Sequence, residues 1–149
     1  MVKQFNNHQF RMHYQTVELA AYHINVFSDI ATQVDYDAHI IHITPLANYE
    51  PVQTSASMNA TTAPGTFSMR SVFEAMGGQT RVEYQLEIHS NLPRPTGLRL
   101  MPRTVVNKIT QNITQKRMRE IAEGFIENSI EGFLAQEEAS EEEFWDEAF

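Results

Sequence analysis

His39-x-x-His42 is the histidine pair whose spacing most resembles a ligand pair. On a strand, residues three apart point to opposite faces, so the two imidazoles diverge and no metal site is expected there. Asp35 and Asp37 are spaced to share a strand face, as are Glu83 and Glu87. A carboxyl serves as a general acid near neutrality only when burial or a like-charged neighbour raises its pKa. Glu83 and Glu87 alternate with apolar residues, which predicts a solvated face, and Asp35 and Asp37 read as the flanks of a turn. The chain has no cysteine, which excludes disulfides, thiolate metal centres and a cysteine nucleophile. It contains no nucleophile elbow, phosphate loop or dinucleotide fingerprint, and Gly77-Gly78 reads as a turn rather than a phosphate cradle. The expectation is a protein that is not an enzyme, with no catalytic residue, metal or cofactor.

Three arginines stand beside these candidates. Arg99 and Arg103 flank Met101-Pro102 and could meet a carboxylate, a phosphate or a lipid head group, although solvated surface is the simpler reading. Arg117 lies closer to the apolar stripe of its segment, where a snorkelling or ion-paired role is open.

The length of 149 residues points to one domain that can bury a core of its own. The formal charge of −8 is unevenly spread. Seven acids and no base fall from Glu137 onward, leaving a body close to neutral and an acidic tail. Neither part carries the basic footprint of a nucleic-acid binder. No run approaches the length of apolar sequence needed to span a bilayer, and Met1 to Phe10 lacks an apolar signal core, so a soluble protein is expected.

The elements that must position these residues fall into two periods. Period-two alternation predicts strands at Phe10–Tyr14, Tyr22–Ile30, Gln33–Ile43, Thr66–Ala75 and Thr80–His89. The third is closed by Pro45, and Gly77-Gly78 marks a hairpin between the last two. Pro51 to Gly65 reads as a weak strand ending in a Pro64-Gly65 turn. From Arg103 the period changes to helical: Val106, Ile109, Ile113, Met118, Ile121, Phe125, Ile130 and Phe133 carry the apolar stripe, with Thr104 as N-cap. A helix reaching Leu134 would run about 45 Å. The predicted class is α+β, an antiparallel sheet gripping one long C-terminal α-helix. Phe67, Met69, Phe73, Tyr84, Leu86, Ile113, Met118, Ile121 and Phe125 are the residues expected to meet between sheet and helix, as core or as the lining of a hydrophobic ligand site.

Two segments carry a resemblance to a known family. One runs from Val82-Glu83-Tyr84-Gln85-Leu86-Glu87-Ile88 through Leu92-Pro93-Arg94-Pro95 and Leu98-Arg99-Leu100-Met101-Pro102 into the helix. The other is Phe10-Arg11-Met12-His13-Tyr14. Together they resemble the START-like, or SRPBCC, superfamily of polyketide cyclases, coenzyme Q-binding proteins and lipid-transfer domains, within which the chain is most similar to a cyanobacterial and plastid branch. The resemblance implies a helix-grip domain over residues 1–135, and a lipid, quinone or pigment as the class of hydrophobic ligand. With no spanning run and no signal core, the expected compartment is the cytoplasm or the plastid stroma. Members usually begin with a strand and one or two short helices, and strand-like sequence starts here by residue 9. An edge left bare by that difference would be covered by a partner chain or a second copy.

Residues 136–149 form the acidic tail, with Phe144, Trp145 and Phe149 among its last six residues. Acidic sequence with aromatic anchors resembles segments that dock into a basic groove. The expected function is a binding or docking module, an interaction subunit of a larger photosynthetic or thylakoid-associated assembly. The alternative is a carrier of a hydrophobic ligand, with a cyclase-type enzyme third. Expected partners are a protein or a second copy, and a hydrophobic small molecule. Peripheral membrane contact is allowed, and nucleic acid is not expected.

Overall fold

The computed structural model describes residues 2–47 and 50–148, with side chains described over 3–47 and 50–135. The chain divides into two compact units, Met1–Pro102 and Arg103–Phe149. The first is a curled, almost wholly antiparallel sheet, and the second is one long helix, so the class is α+β. This order of elements is compatible with a helix-grip fold.

The sheet has seven strands: β1 (Val2–Asn6), β2 (Gln9–Glu18), β3 (Tyr22–Asp35), β4 (Ile40–Pro45), β5 (Ser55–Ala56), β6 (Ala60–Met76) and β7 (Gln79–Ser90). Strand β1 lies outside the sequence expectation, which starts the sheet at residue 9. It pairs with the first residues of β2, from Asn6 opposite Gln9 to Val2 opposite Met12. β3 runs antiparallel to β2 along its first ten residues. On its other side it changes partner. His23–Phe27 runs parallel to Ala60–Pro64 of β6, and Ile30–Asp35 pairs antiparallel with β4. β4 in turn pairs with Met69–Val72 of β6. These crossed pairings curl the sheet around β3 and β6.

Two sequence boundaries move. The expected strand Gln33–Ile43 is split, because β3 continues to Asp35 and a turn intervenes before Ile40. Asp35 Oδ1 accepts the Ala38 N–H at 2.9 Å, and His39 takes a left-handed φ of 54°. The aspartate side chain thus supplies the turn's hydrogen bond, which defeats the apolar pattern around it. Pro64-Gly65, expected as a turn, lies inside β6. There the strand passes from its parallel partner β3 to its antiparallel partner β7, with Gly65 opposite Ser90. An ideal Cβ at Gly65 would stand 2.6 Å from Val26 Cγ1 and 3.1 Å from the His89 carbonyl oxygen. Glycine is required here by close approach, not by turning. Gly77 and Gly78 do form the expected hairpin, both with positive φ as a two-residue turn demands.

Along β6 the burial alternates from Thr61 to Ala63 and again from Phe67 to Ser71, on either side of half-buried Pro64-Gly65. Thr61, Ala63, Phe67, Met69 and Ser71 are buried, while Thr66 and Arg70 are exposed. Val26 and Ile30 of β3 complete the apolar core. Several polar side chains are buried with them. Thr61 Oγ1 donates to the Pro93 carbonyl at 2.8 Å, Glu18 accepts from Thr16 Oγ1 at 2.7 Å, and Asp29 binds Arg11.

The helix α1 spans Arg103–Ala148, or 46 residues, about 69 Å at the standard rise. Thr104 therefore sits inside the first turn and not at the N-cap. The apolar residues do not form one stripe. Val106, Ile109 and Ile113 are followed by a five-residue gap to Met118, Ile121 and Phe125, and by another to Ile130 and Phe133. Each set repeats the last after twelve residues, which advances it about 120° around a regular helix. No helix among the described residues is long and apolar enough to cross a membrane.

Candidate functional site

Of the nine residues expected to meet between sheet and helix, five lie together on one face of the sheet. Register places Met69 of β6 opposite Leu86 of β7, Ser71 opposite Tyr84, and Phe73 opposite Val82. Period-two alternation puts Phe67, Met69 and Phe73 on the same side as Tyr84 and Leu86. Phe67 and Met69 are buried; Phe73, Tyr84 and Leu86 are half-buried. The other four lie on α1 in the second unit. Met118, Ile121 and Phe125 share a stripe at three- and four-residue spacing, and Ile113 sits off it, five residues before Met118.

The side chains of Phe144 and Trp145, and the whole of Phe149, lie outside the described residues.

The polar candidates separate. His39 is in the β3–β4 turn and His42 is on β4. Among the described residues, no three His, Asp or Glu side chains gather into a metal-binding group. Glu83 and Glu87 are exposed on β7, beside Arg81 and His89 respectively. Arg99 and Arg103 are exposed, and Arg117 pairs with Glu120 one turn along α1.

The most organised polar cluster is one the sequence reading passed over. Lys3, Arg11 and Asp29 occupy matched positions across β1, β2 and β3. The Arg11 guanidinium donates from Nε to Asp29 Oδ1 at 2.7 Å and from Nη2 to Oδ2 at 2.8 Å. Nη2 also reaches the Glu50 carbonyl oxygen at 2.6 Å. The Glu50 carboxylate accepts from Lys3 Nζ at 2.6 Å and stands 3.6 Å from Arg11 Nη1. Both cations lie over the Phe5 ring, 5.7 Å from Arg11 and 5.8 Å from Lys3. Asp29 is buried, so its charge depends on this partner.

The electrostatics follow from those contacts. The hydrogen bond and charge of Asp29 hold the Arg11 guanidinium above its ordinary pKa. The hydrogen bond and charge of Lys3, with Arg11 adding to them, hold the Glu50 carboxyl below its ordinary range. Both shifts fix the charged forms, so the cluster ties three strands and the segment after β4 together rather than exchanging protons. Arg11 alternates with Phe10 and Met12 in sequence and so reads as an ordinary wet-face residue. Only the strand register reveals its partner.

A smaller feature lies two residues along the same strands. His13 stacks on Phe27 with centroids 4.3 Å apart and planes within 4°, and its Nε2 is 3.0 Å from Asn25 Oδ1. The pair adds a cross-strand contact to the β2–β3 ladder.

No protein-family model matches the chain, and no curated protein matches it.

Proposed function

We propose that this chain is a non-catalytic docking module, an interaction subunit that presents the C-terminal part of α1 to a partner protein. The observation that carries this reading is an exposed apolar stripe on that helix. Ile126, Ile130, Phe133 and Leu134 are each more than a third exposed and follow one another at helical spacing. They cover about 100° of the helix circumference, the width of a face that normally packs. Glu127 and Glu131 lie along one edge of the stripe, and the segment beyond holds seven further acids with Phe144 and Trp145. An apolar stripe edged with carboxylates suits a partner with an apolar groove and a basic rim, the helix-in-groove mode of recognition.

Native mass spectrometry of the protein from its own source tests this. A protein partner of defined mass, lost on substituting Ile130→Glu with Phe133→Glu, is the expected result. Partner binding that survives both that variant and removal of residues 137–149 would overturn it.

The shared face of Phe67, Met69, Phe73, Tyr84 and Leu86 favours a second reading, a carrier of a hydrophobic ligand. The START-like resemblance supplies the ligand class of lipid, quinone or pigment. A small-molecule adduct in the same spectra, without a protein partner, is the result that would favour it.

A further inference from the structure

Three connecting segments come together at one end of the sheet. The β2–β3 turn, Leu19–Ala21, closes with Ala21 N donating to the Glu18 carbonyl at 3.2 Å. The β5–β6 turn sits beside it, because His23 N donates to the Asn59 carbonyl at 2.8 Å. The linker after β7 docks on that same turn: Thr96 N reaches the Ser57 carbonyl at 2.9 Å and Gly97 N the Met58 carbonyl at 3.0 Å. Gly97 cannot carry a side chain here, since a Cβ would stand 2.6 Å from the Met58 oxygen and 3.1 Å from Tyr22 Oη.

Each of these segments points a large apolar side chain into solvent. Leu100 is 98% exposed, Met58 73% and Leu19 51%. Leu100 is not on a loose loop. Arg94 Nη2 donates to the carbonyls of Leu98 and Met101, on either side of it. Leu19 and Ala20 both take left-handed φ, 51° and 64°, which is unfavourable for side chains of their type. A solvated turn would be served better at both positions by glycine or asparagine.

The charge around these tips is one-sided. The body of the chain is near neutral in sum but not in arrangement. Within the sheet unit, residues 88–102 carry Arg94 and Arg99 and no Asp or Glu. In the three segments the carboxylate is Glu18, which is buried, whereas Arg99 is exposed beside Leu100. The opposite end of β3 carries Asp35 and Asp37 in its turn.

Apolar tips on braced loops, with exposed arginine and no exposed carboxylate, match an interface that is fluid, apolar below and anionic above. We propose that this end of the sheet is a membrane-interface contact, with Leu19, Met58 and Leu100 entering the headgroup region of an anionic bilayer and Arg99 meeting lipid phosphate. The surface is distinct from the α1 stripe and does not rest on the docking reading.

Vesicle flotation of the full chain tests it, using phosphatidylcholine vesicles with and without phosphatidylserine. Binding to the serine-containing vesicles, weakened by salt, is expected. Leu100→Asp should lower that binding about tenfold, and Arg99→Glu should lower it and remove the preference for anionic lipid. Both positions are exposed, so an unchanged circular dichroism spectrum is expected from each variant. Failure to bind either vesicle, or equal binding by wild type and Leu100→Asp, would overturn the proposal. So would binding of this same end to a protein or nucleic acid in place of lipid, shown by loss of that complex in Leu100→Asp.

Discussion

Arg11 on β2 and Asp29 on β3 stand directly opposite in register, and the guanidinium holds both carboxylate oxygens of a side chain that is 1% exposed. The Asp29 backbone is bound as well: its carbonyl accepts Leu46 N–H at 2.8 Å. One residue therefore joins β2, β3 and the segment after β4. Removing a single partner from such a pair leaves an uncompensated charge in the sheet. Asp29→Ala and Arg11→Ala should each lower stability by about 3–5 kcal/mol in urea unfolding. The apolar pair Arg11→Met with Asp29→Leu should recover most of that loss, since it removes both charges together.

Acid should loosen the outer part of the same cluster. Glu50 has a folded pKa below its ordinary value of 4.5, held there first by its hydrogen bond to Lys3. Its contribution is therefore complete above pH 4.5 and is lost as pH falls through the lowered folded value. Arg11 is shifted the opposite way, upward, first by its hydrogen bond to Asp29, so its contribution fades only in strong alkali. In urea midpoints measured against pH, Glu50→Gln should fall below wild type near neutrality and converge with it in acid. A gap that stayed constant down the acid limb would contradict this assignment.

Gly65 is fixed by space. Gly65→Ala would drive a methyl into Val26 Cγ1 and against the His89 carbonyl, at a cost of about 1–3 kcal/mol. Truncating Val26 should relieve the side-chain part of that clash. A double-mutant cycle of Gly65→Ala with Val26→Ala should then show favourable coupling, while additive losses would mean that backbone contact dominates.

Ser71 is fully buried on the face shared with Met69, and its Oγ has no hydrogen-bond partner among the described residues. A buried hydroxyl without a partner opposes folding. Ser71→Ala should leave the midpoint unchanged or raise stability by about 1 kcal/mol. Marked destabilisation would show that the hydroxyl is hydrogen-bonded in solution.

The amino-acid sequence determined those features that depend on near neighbours. Alternation along Thr66–Ala75 and Thr80–His89, with two glycines between them, was enough for the β6–β7 hairpin and for the face of Phe67, Met69, Phe73, Tyr84 and Leu86. The change of period after Pro102 was enough for α1 and hence for the α+β class. The tertiary structure decided whatever depends on which strands meet. Pro64-Gly65 has the composition of a turn, yet β3 and β7 pair on either side of it, and their hydrogen bonds outweigh that local preference. Arg11 looks solvated until β3 brings Asp29 opposite. The segments that hold Leu19, Met58 and Leu100 are far apart in the chain, and they come to one end of the sheet only because the start of β3 and the linker both hydrogen-bond to the β5–β6 turn.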